Sequence, residues 1–130
     1  MMNKRIKKLW VDTLRSDTIK QATGYLCVLE KDSYSFCCLG VLCEIYQSEQ
    51  KSKRKEQLEI NEIKFTKSST RTIFSYNEEE CLLPIVVGEW AGISLNPIVS
   101  NRYGKVDSLA TLNDKLVSFK EIADLIEEQL

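Results

Sequence analysis

Histidine is absent from this sequence of 130 residues. That absence excludes Cys-His and Ser-His catalysis, histidine metal ligation and an imidazole pH switch. A surplus of either charge is also missing: 18 basic and 19 acidic residues leave a net charge of -1. A generally basic nucleic-acid coat and an acidic DNA mimic are thereby excluded. No long apolar run is present either. The long uncharged stretches, Ser33 to Cys43 and Trp90 to Asn101, fall well short of the roughly 20 residues a membrane span needs. The basic start, Lys4 to Lys8, is not followed by the apolar segment of a signal peptide, because Asp12, Arg15 and Asp17 interrupt it. There is no P-loop, no G-x-G-x-x-G, no G-x-S-x-G, no C-x-x-C, no internal repeat and no low-complexity tract. Neither a cofactor nor a metal site is expected.

What is present suits one globular domain spanning residues 1–130, with 43% hydrophobic and 28% charged residues. The five cysteines, at 27, 37, 38, 43 and 81, read as reduced, buried thiols of a cytosolic core. Cys38 has a second reading, because a thiol at a helix start can be activated.

Residues 3–16 place Ile6, Leu9, Trp10, Thr13 and Leu14 at helical spacing. Gly24 opens an apolar run, Tyr25 to Leu29, that reads as a buried strand, and Tyr34-Ser35-Phe36 reads as its return. A helix is expected from Cys38 to about Glu49, with Gly40 inside it to allow close packing or ligand approach. Residues 47–57 are polar, and their Lys51, Lys53, Arg54 and Lys55 read as a solvated surface able to meet phosphate. Strands are expected at 58–60, 63–66 and 70–76, the last two pairing around 67–69. A short helix follows Pro84, which is expected at its first position, and Gly92 closes it. Residues 94–108 read as loop, and 109–115 as a short helical or extended piece. The final helix begins at a capping box, Ser118-Phe119-Lys120-Glu121. The fold class is therefore α+β: about three helices (N-terminal, central after Cys38, C-terminal) on a short antiparallel sheet.

Charge is unevenly distributed. The chain carries 14 basic and 9 acidic residues up to position 75, and 4 basic and 10 acidic from 76 onward. Such a split can fold into a dipolar surface or a self-complementary dimer, and a homo-oligomer is the expectation.

Without catalytic signatures, the remaining chemistry is ligand binding. Arg15, Arg71 and Arg102 are candidate phosphate clamps. Tyr34 and Tyr103 are among the aromatics able to stack on a base. The helix start at Cys38, with Gly40 behind it, would present free backbone N–H groups to an anion. Arg102-Tyr103, in a polar loop, is the pair least needed by a core. Asn113-Asp114 offers polar groups to a ligand or caps the turn before the last helix. The carboxylates best placed for hydrolysis are Glu44, Glu89 and Asp114, although each also reads as an ordinary surface group.

Three stretches, Trp10-x3-Leu14-Arg15-Ser16, Gln21-x2-Gly24-x-Leu26 and Phe36-Cys37-Cys38-Leu39-Gly40-Val41-Leu42-Cys43-Glu44, are similar to a small protein type that recurs in bacteriophages and prophages. Leu83-Pro84, Trp90-x-Gly92, Leu112-Asn113-Asp114 and Phe119-x2-Ile122-Ala123-Asp124 resemble its second half. Where that type commonly has glycine after Arg-Ser, this chain has Asp17, which suggests a different local turn. The resemblance implies a viral accessory protein acting in the cytoplasm of a bacterial host, and no catalytic residue is carried over from it. By analogy with the class, the expected role is to counter host defence by sequestering a nucleotide-type immune signal. The alternatives are inhibition of a host defence protein through a surface patch, or carboxylate-dependent hydrolysis of the signal.

Overall fold

The computed structural model describes residues 1–63 and 71–130. The strand expected at 63–66 lies outside them beyond Ile63, as do the connection at 67–69 and residue 70. Helix α1 (Lys4–Arg15) starts where the Asn3 Oδ1 accepts the Ile6 N–H at 3.0 Å. It buries Ile6, Trp10, Val11 and Leu14 on one face, as the spacing requires. A short strand β1 (Lys20–Gln21) follows, then the hairpin β2 (Cys27–Glu30) and β3 (Ser33–Phe36). Lys31 and Asp32 turn this hairpin with φ of 50° and 61°, the left-handed pair that matches strand twist. Helix α2 (Cys38–Ser52) leads to β4 (Ile60–Ile63) and β5 (Arg71–Tyr76). After α3 (Ile85–Ala91) come β6 (Ile98–Ser100) and β7 (Val106–Ser108), then α4 (Leu109–Asp114) and α5 (Phe119–Gln129).

The α+β class holds, with more parts than expected. There are five helices among the described residues, and the main sheet is mixed, in the order β1-β3-β2-β5-β4. Its parallel element is β1, which pairs Lys20 and Gln21 with Ser35 and Phe36. Two polar residues carry no periodicity, so this strand exists only through its partner. Residues 94–108 are not simply loop: β6 and β7 form a second, two-stranded sheet. Pro84 caps α3 rather than occupying its first turn, and Gly92 ends it at φ 76°. Asp17 takes φ 62°, the left-handed region where glycine is at ease.

Helices α1, α2, α4 and α5 enclose one main core against the Cys27, Phe36, Phe74 and Tyr76 face of the sheet. Trp10, Leu39, Leu42, Leu83, Leu109, Ile122 and Ile126 are completely or almost completely buried there. Ala22, Val28 and Ile73 form a smaller cluster on the opposite sheet face. Part of the charge split is neutralised inside the molecule. Arg15 of basic α1 donates to Asp124 at 2.6 Å and Glu127 at 2.8 Å on acidic α5. Among the described residues no helix is long and apolar enough to cross a membrane.

Candidate functional site

The sequence-nominated residues fall into two groups. Cys38, Gly40 and Asn113 belong to the core, and all three are buried. The anion site expected at the start of α2 is corrected by its own hydrogen bonds. The Cys38 N–H donates to Asn113 Oδ1 at 3.1 Å, and the Gly40 N–H to Cys37 Sγ at 3.4 Å. Asn113 also accepts from Gln21 Nε2 at 3.0 Å and donates from Nδ2 to the Ala22 carbonyl at 2.6 Å. It is a fully satisfied buried bracket tying α4 to β1 and α2. Asp114 accepts the Gly24 N–H at 2.7 Å, so it caps a turn. Gly40 serves helix packing, because a Cβ there would stand 1.9 Å from the Leu26 carbonyl oxygen. Tyr34 lies exposed on the sheet, its ring 5.9 Å from that of Phe74. Burial pushes the Cys38 thiol far up, so it is not an activated nucleophile. Cys81 departs from the expected buried thiols: it is exposed, with Sγ 3.1 Å from the Gly24 carbonyl.

The second group meets at the surface. The tip of the β6–β7 hairpin is organised by Asn101, whose Oδ1 accepts the Tyr103 N–H at 2.9 Å and the Lys105 N–H at 3.0 Å. Gly104, at φ 76°, closes the turn. Arg102 and Tyr103 are thereby thrown outward, the guanidinium carbon 5.0 Å from the ring centroid, a cation–π distance. Gln129 anchors the hairpin to α5. It accepts the Ser100 N–H at 2.7 Å and donates to the Ser100 carbonyl at 2.6 Å, replacing a neighbouring strand.

Between hairpin and helix lies a cleft of about 760 Å³, within the size range of small-molecule sites. One wall is Ser100 to Gly104. The other is Glu121, Asp124, Leu125 and Glu128, with Leu112 and Val117 between them. Positions 121, 124, 125 and 128 share one helix face by their spacing. Glu121 completes only half of the capping box. Its N–H donates to Ser118 Oγ at 3.2 Å, while its carboxylate faces Arg102 Nη1 at 4.0 Å. Arg15 reaches this wall from behind through Asp124. Arg102 and Tyr103 are thus gathered at the cleft, whereas Arg15 is outside its lining and has both terminal nitrogens engaged by Asp124 and Glu127. The carboxylates opposite Arg102 and Tyr103 are the part sequence reasoning missed. They read as the wet face of an amphipathic helix, and only the tertiary placement of the hairpin turns them into a wall.

Elsewhere, Glu44 is partly buried, accepts from the Tyr76 hydroxyl at 3.0 Å and has its pKa raised, chiefly by burial. It lines a separate groove between α1 and α2. Glu89 is exposed on α3. Among the described residues no group of three or more acidic or cysteine side chains is placed to hold a metal ion.

Fold and cleft together define a small α+β domain with an open polar cleft beside a two-stranded sheet. The chain belongs to the family described as Domain of unknown function (DUF8296), whose model matches residues 2–130. No curated protein and no solved structure matches it.

Proposed function

We propose that the protein acts by binding, holding a nucleotide-type ligand in the cleft between the β6–β7 hairpin and α5. The observation that carries this reading is Tyr103, 80% exposed, with the Arg102 guanidinium against it at the mouth of the cleft. An exposed tyrosine serves no core, and every base offers it a π face. Arg102 would take one phosphate. Glu121, Asp124 and Glu128 would accept hydrogen bonds from ribose hydroxyls, and their charge would oppose a second or third phosphate. The ligand class is therefore rich in hydroxyls and poor in phosphate. In the setting implied by the phage resemblance, such a protein would sequester an immune signal in the bacterial cytoplasm.

The test is thermal unfolding against a panel of nucleosides and of mono-, di- and cyclic nucleotides, including cyclic ADP-ribose isomers. A ligand at about 100 times its Kd stabilises by about 2.7 kcal/mol, of order 10 °C for a domain of this size. Arg102→Ala and Tyr103→Ala should abolish the shift without lowering the Tm of the free protein. A shift that both variants retain, or no shift with any member, overturns the cleft. Ligand recovered intact after denaturation supports sequestration, and recovered product supports hydrolysis.

A second reading, inhibition of a host protein, is favoured by the outer face of the hairpin. Ile98 and Val106 project from the same side of that two-stranded sheet and are 65% and 60% exposed. Pull-down of one host protein, lost in Ile98→Asp, would support it.

A further inference from the structure

Two basic segments far apart in sequence meet on one rim. Arg5 of α1 donates from Nη1 and Nη2 to Glu49 at 2.9 and 2.8 Å, and Lys53 donates to Glu49 Oε1 at 2.9 Å. Glu49 therefore joins Arg5 to Lys53, and the exposed Lys4, Lys51, Arg54 and Lys55 flank these two in sequence. Among the described residues, no carboxylate lies within ion-pair distance of Lys4, Lys51, Arg54 or Lys55. This rim borders the groove of about 560 Å³ between α1 and α2, whose floor is aliphatic: Leu9, Ile19, Val41 and Ile45. With no aromatic side chain in its lining, the groove offers bases nothing to stack on and suits an apolar protein surface instead.

The complement is on the same molecule. Glu78 and Glu79, both exposed, turn the chain after β5, and Leu82, Ile85 and Val86 follow at 37%, 64% and 41% exposure. Glu89 lies one turn further along α3. Among the described residues no cation pairs with Glu78, Glu79 or Glu89. Tyr76 connects the two patches. Its backbone exchanges hydrogen bonds with Glu79 at 2.8 and 2.9 Å, and its hydroxyl donates to Glu44 on the groove wall at 3.0 Å. A basic-aliphatic patch beside an acidic-aliphatic one is what a self-complementary twofold contact requires.

We infer that a second copy of the chain docks on this face, the groove and basic rim of each protomer receiving the Glu78–Glu79 turn and the Leu82–Val86 surface of the other. Charge sets the register of the contact, and the aliphatic groups supply its buried area. This contact is independent of the cleft at Arg102.

Two charge-reversed variants test it, read by light scattering after size exclusion. One carries Lys51→Glu, Arg54→Glu and Lys55→Glu, and the other Glu78→Lys and Glu79→Lys. All five side chains are exposed, and circular dichroism checks that both variants fold. The wild-type protein is expected to be a dimer at tens of micromolar in low salt and to dissociate as salt rises. Each variant alone should be monomeric, and an equimolar mixture should restore the dimer, because all its charge contacts are again opposite. A wild-type monomer at every concentration in low salt overturns the inference. So does a dimer that survives both reversals, or a mixture that stays monomeric.

Discussion

Gly40 and Leu26 meet backbone to backbone. A methyl group on Gly40 would stand 1.9 Å from the Leu26 carbonyl oxygen and 2.8 Å from its carbonyl carbon. The same oxygen accepts the Cys37 N–H at 3.3 Å, so Leu26 cannot retreat without breaking the entry to α2. Gly40→Ala should therefore cost about 3 kcal/mol and lower the Tm by roughly 10 °C, although alanine favours helix at an exposed site. An unchanged Tm would show that α2 can slide away from β2.

Asn113 holds three elements at once, through Cys38, Gln21 and Ala22. Asn113→Ala leaves a buried N–H and a buried carbonyl without partners, which costs about 3 kcal/mol. Asn113→Asp keeps the acceptor but loses the donor to the Ala22 carbonyl and buries a charge, so it should be no better than alanine at pH 7. Urea midpoints of the two variants check the order. A variant as stable as the wild type would remove Asn113 as the bracket.

The thiols make stability depend on alkaline pH. Burial lifts Cys27 and Cys37 to about 11, and Cys38 and Cys43 well above their ordinary value. Between roughly pH 9 and 11 the unfolded chain loses these protons while the native chain retains them. The stabilisation is thus complete below about pH 9 and drains away as pH rises toward 11. Urea midpoints measured from pH 8 to 10.5 should fall accordingly. Cys37→Ser should flatten part of that fall, because serine still caps α2 and does not titrate there. Native protein at pH 8 should label at Cys81 alone, the exposed cysteine, slowed by the partial burial and neighbouring carboxylates that raise its pKa, and at the other four only on unfolding. Rapid labelling of Cys38 would contradict its burial.

What the sequence made legible follows from locality. The helix starts near residue 3, at Cys38 and at Ser118, the β2–β3 return and the cap at Gly92 are each decided within a few residues, by periodicity and capping chemistry. Strands β1 and β6–β7 were not legible. Lys20-Gln21 has no pattern of its own, and three-residue strands flanked by Asn96-Pro97, Asn101 and Gly104 look like turns until their partners are known. The site divided along the same line. Arg102 and Tyr103 stood out because no core needs them. Asn113, Cys38 and Gly40 looked equally available, since burial is a tertiary property. The α5 wall acquired meaning only when the hairpin was laid across it.

Leu116 is a bulky apolar residue held at φ 62° and 72% exposed. A branched side chain in the left-handed region pays steric strain and here recovers little by burial. Leu116→Gly should raise stability by about 0.5–1 kcal/mol, visible as a higher urea midpoint with an unchanged slope. A loss of stability would mean that this side chain packs on something in solution.

The Gln129 clamp on Ser100 links hairpin order to the cleft. Both of its hydrogen bonds are to backbone at an exposed strand edge, so their global worth is small while their local effect is large. Gln129→Ala should cost no more than about 1 kcal/mol of global stability. The Ser100 amide, however, should exchange with solvent at least tenfold faster, since its acceptor is gone. If the cleft binds its ligand through Arg102 and Tyr103, the same variant should weaken binding several-fold although it keeps both residues. The loop that aims them would then have to be ordered on binding. Glu62→Ala, on the edge strand β4, provides the control and should change neither exchange at Ser100 nor binding. Protection of Ser100 that survives the loss of Gln129 would show that β7 alone holds the hairpin, and the clamp would then have no part in shaping the cleft.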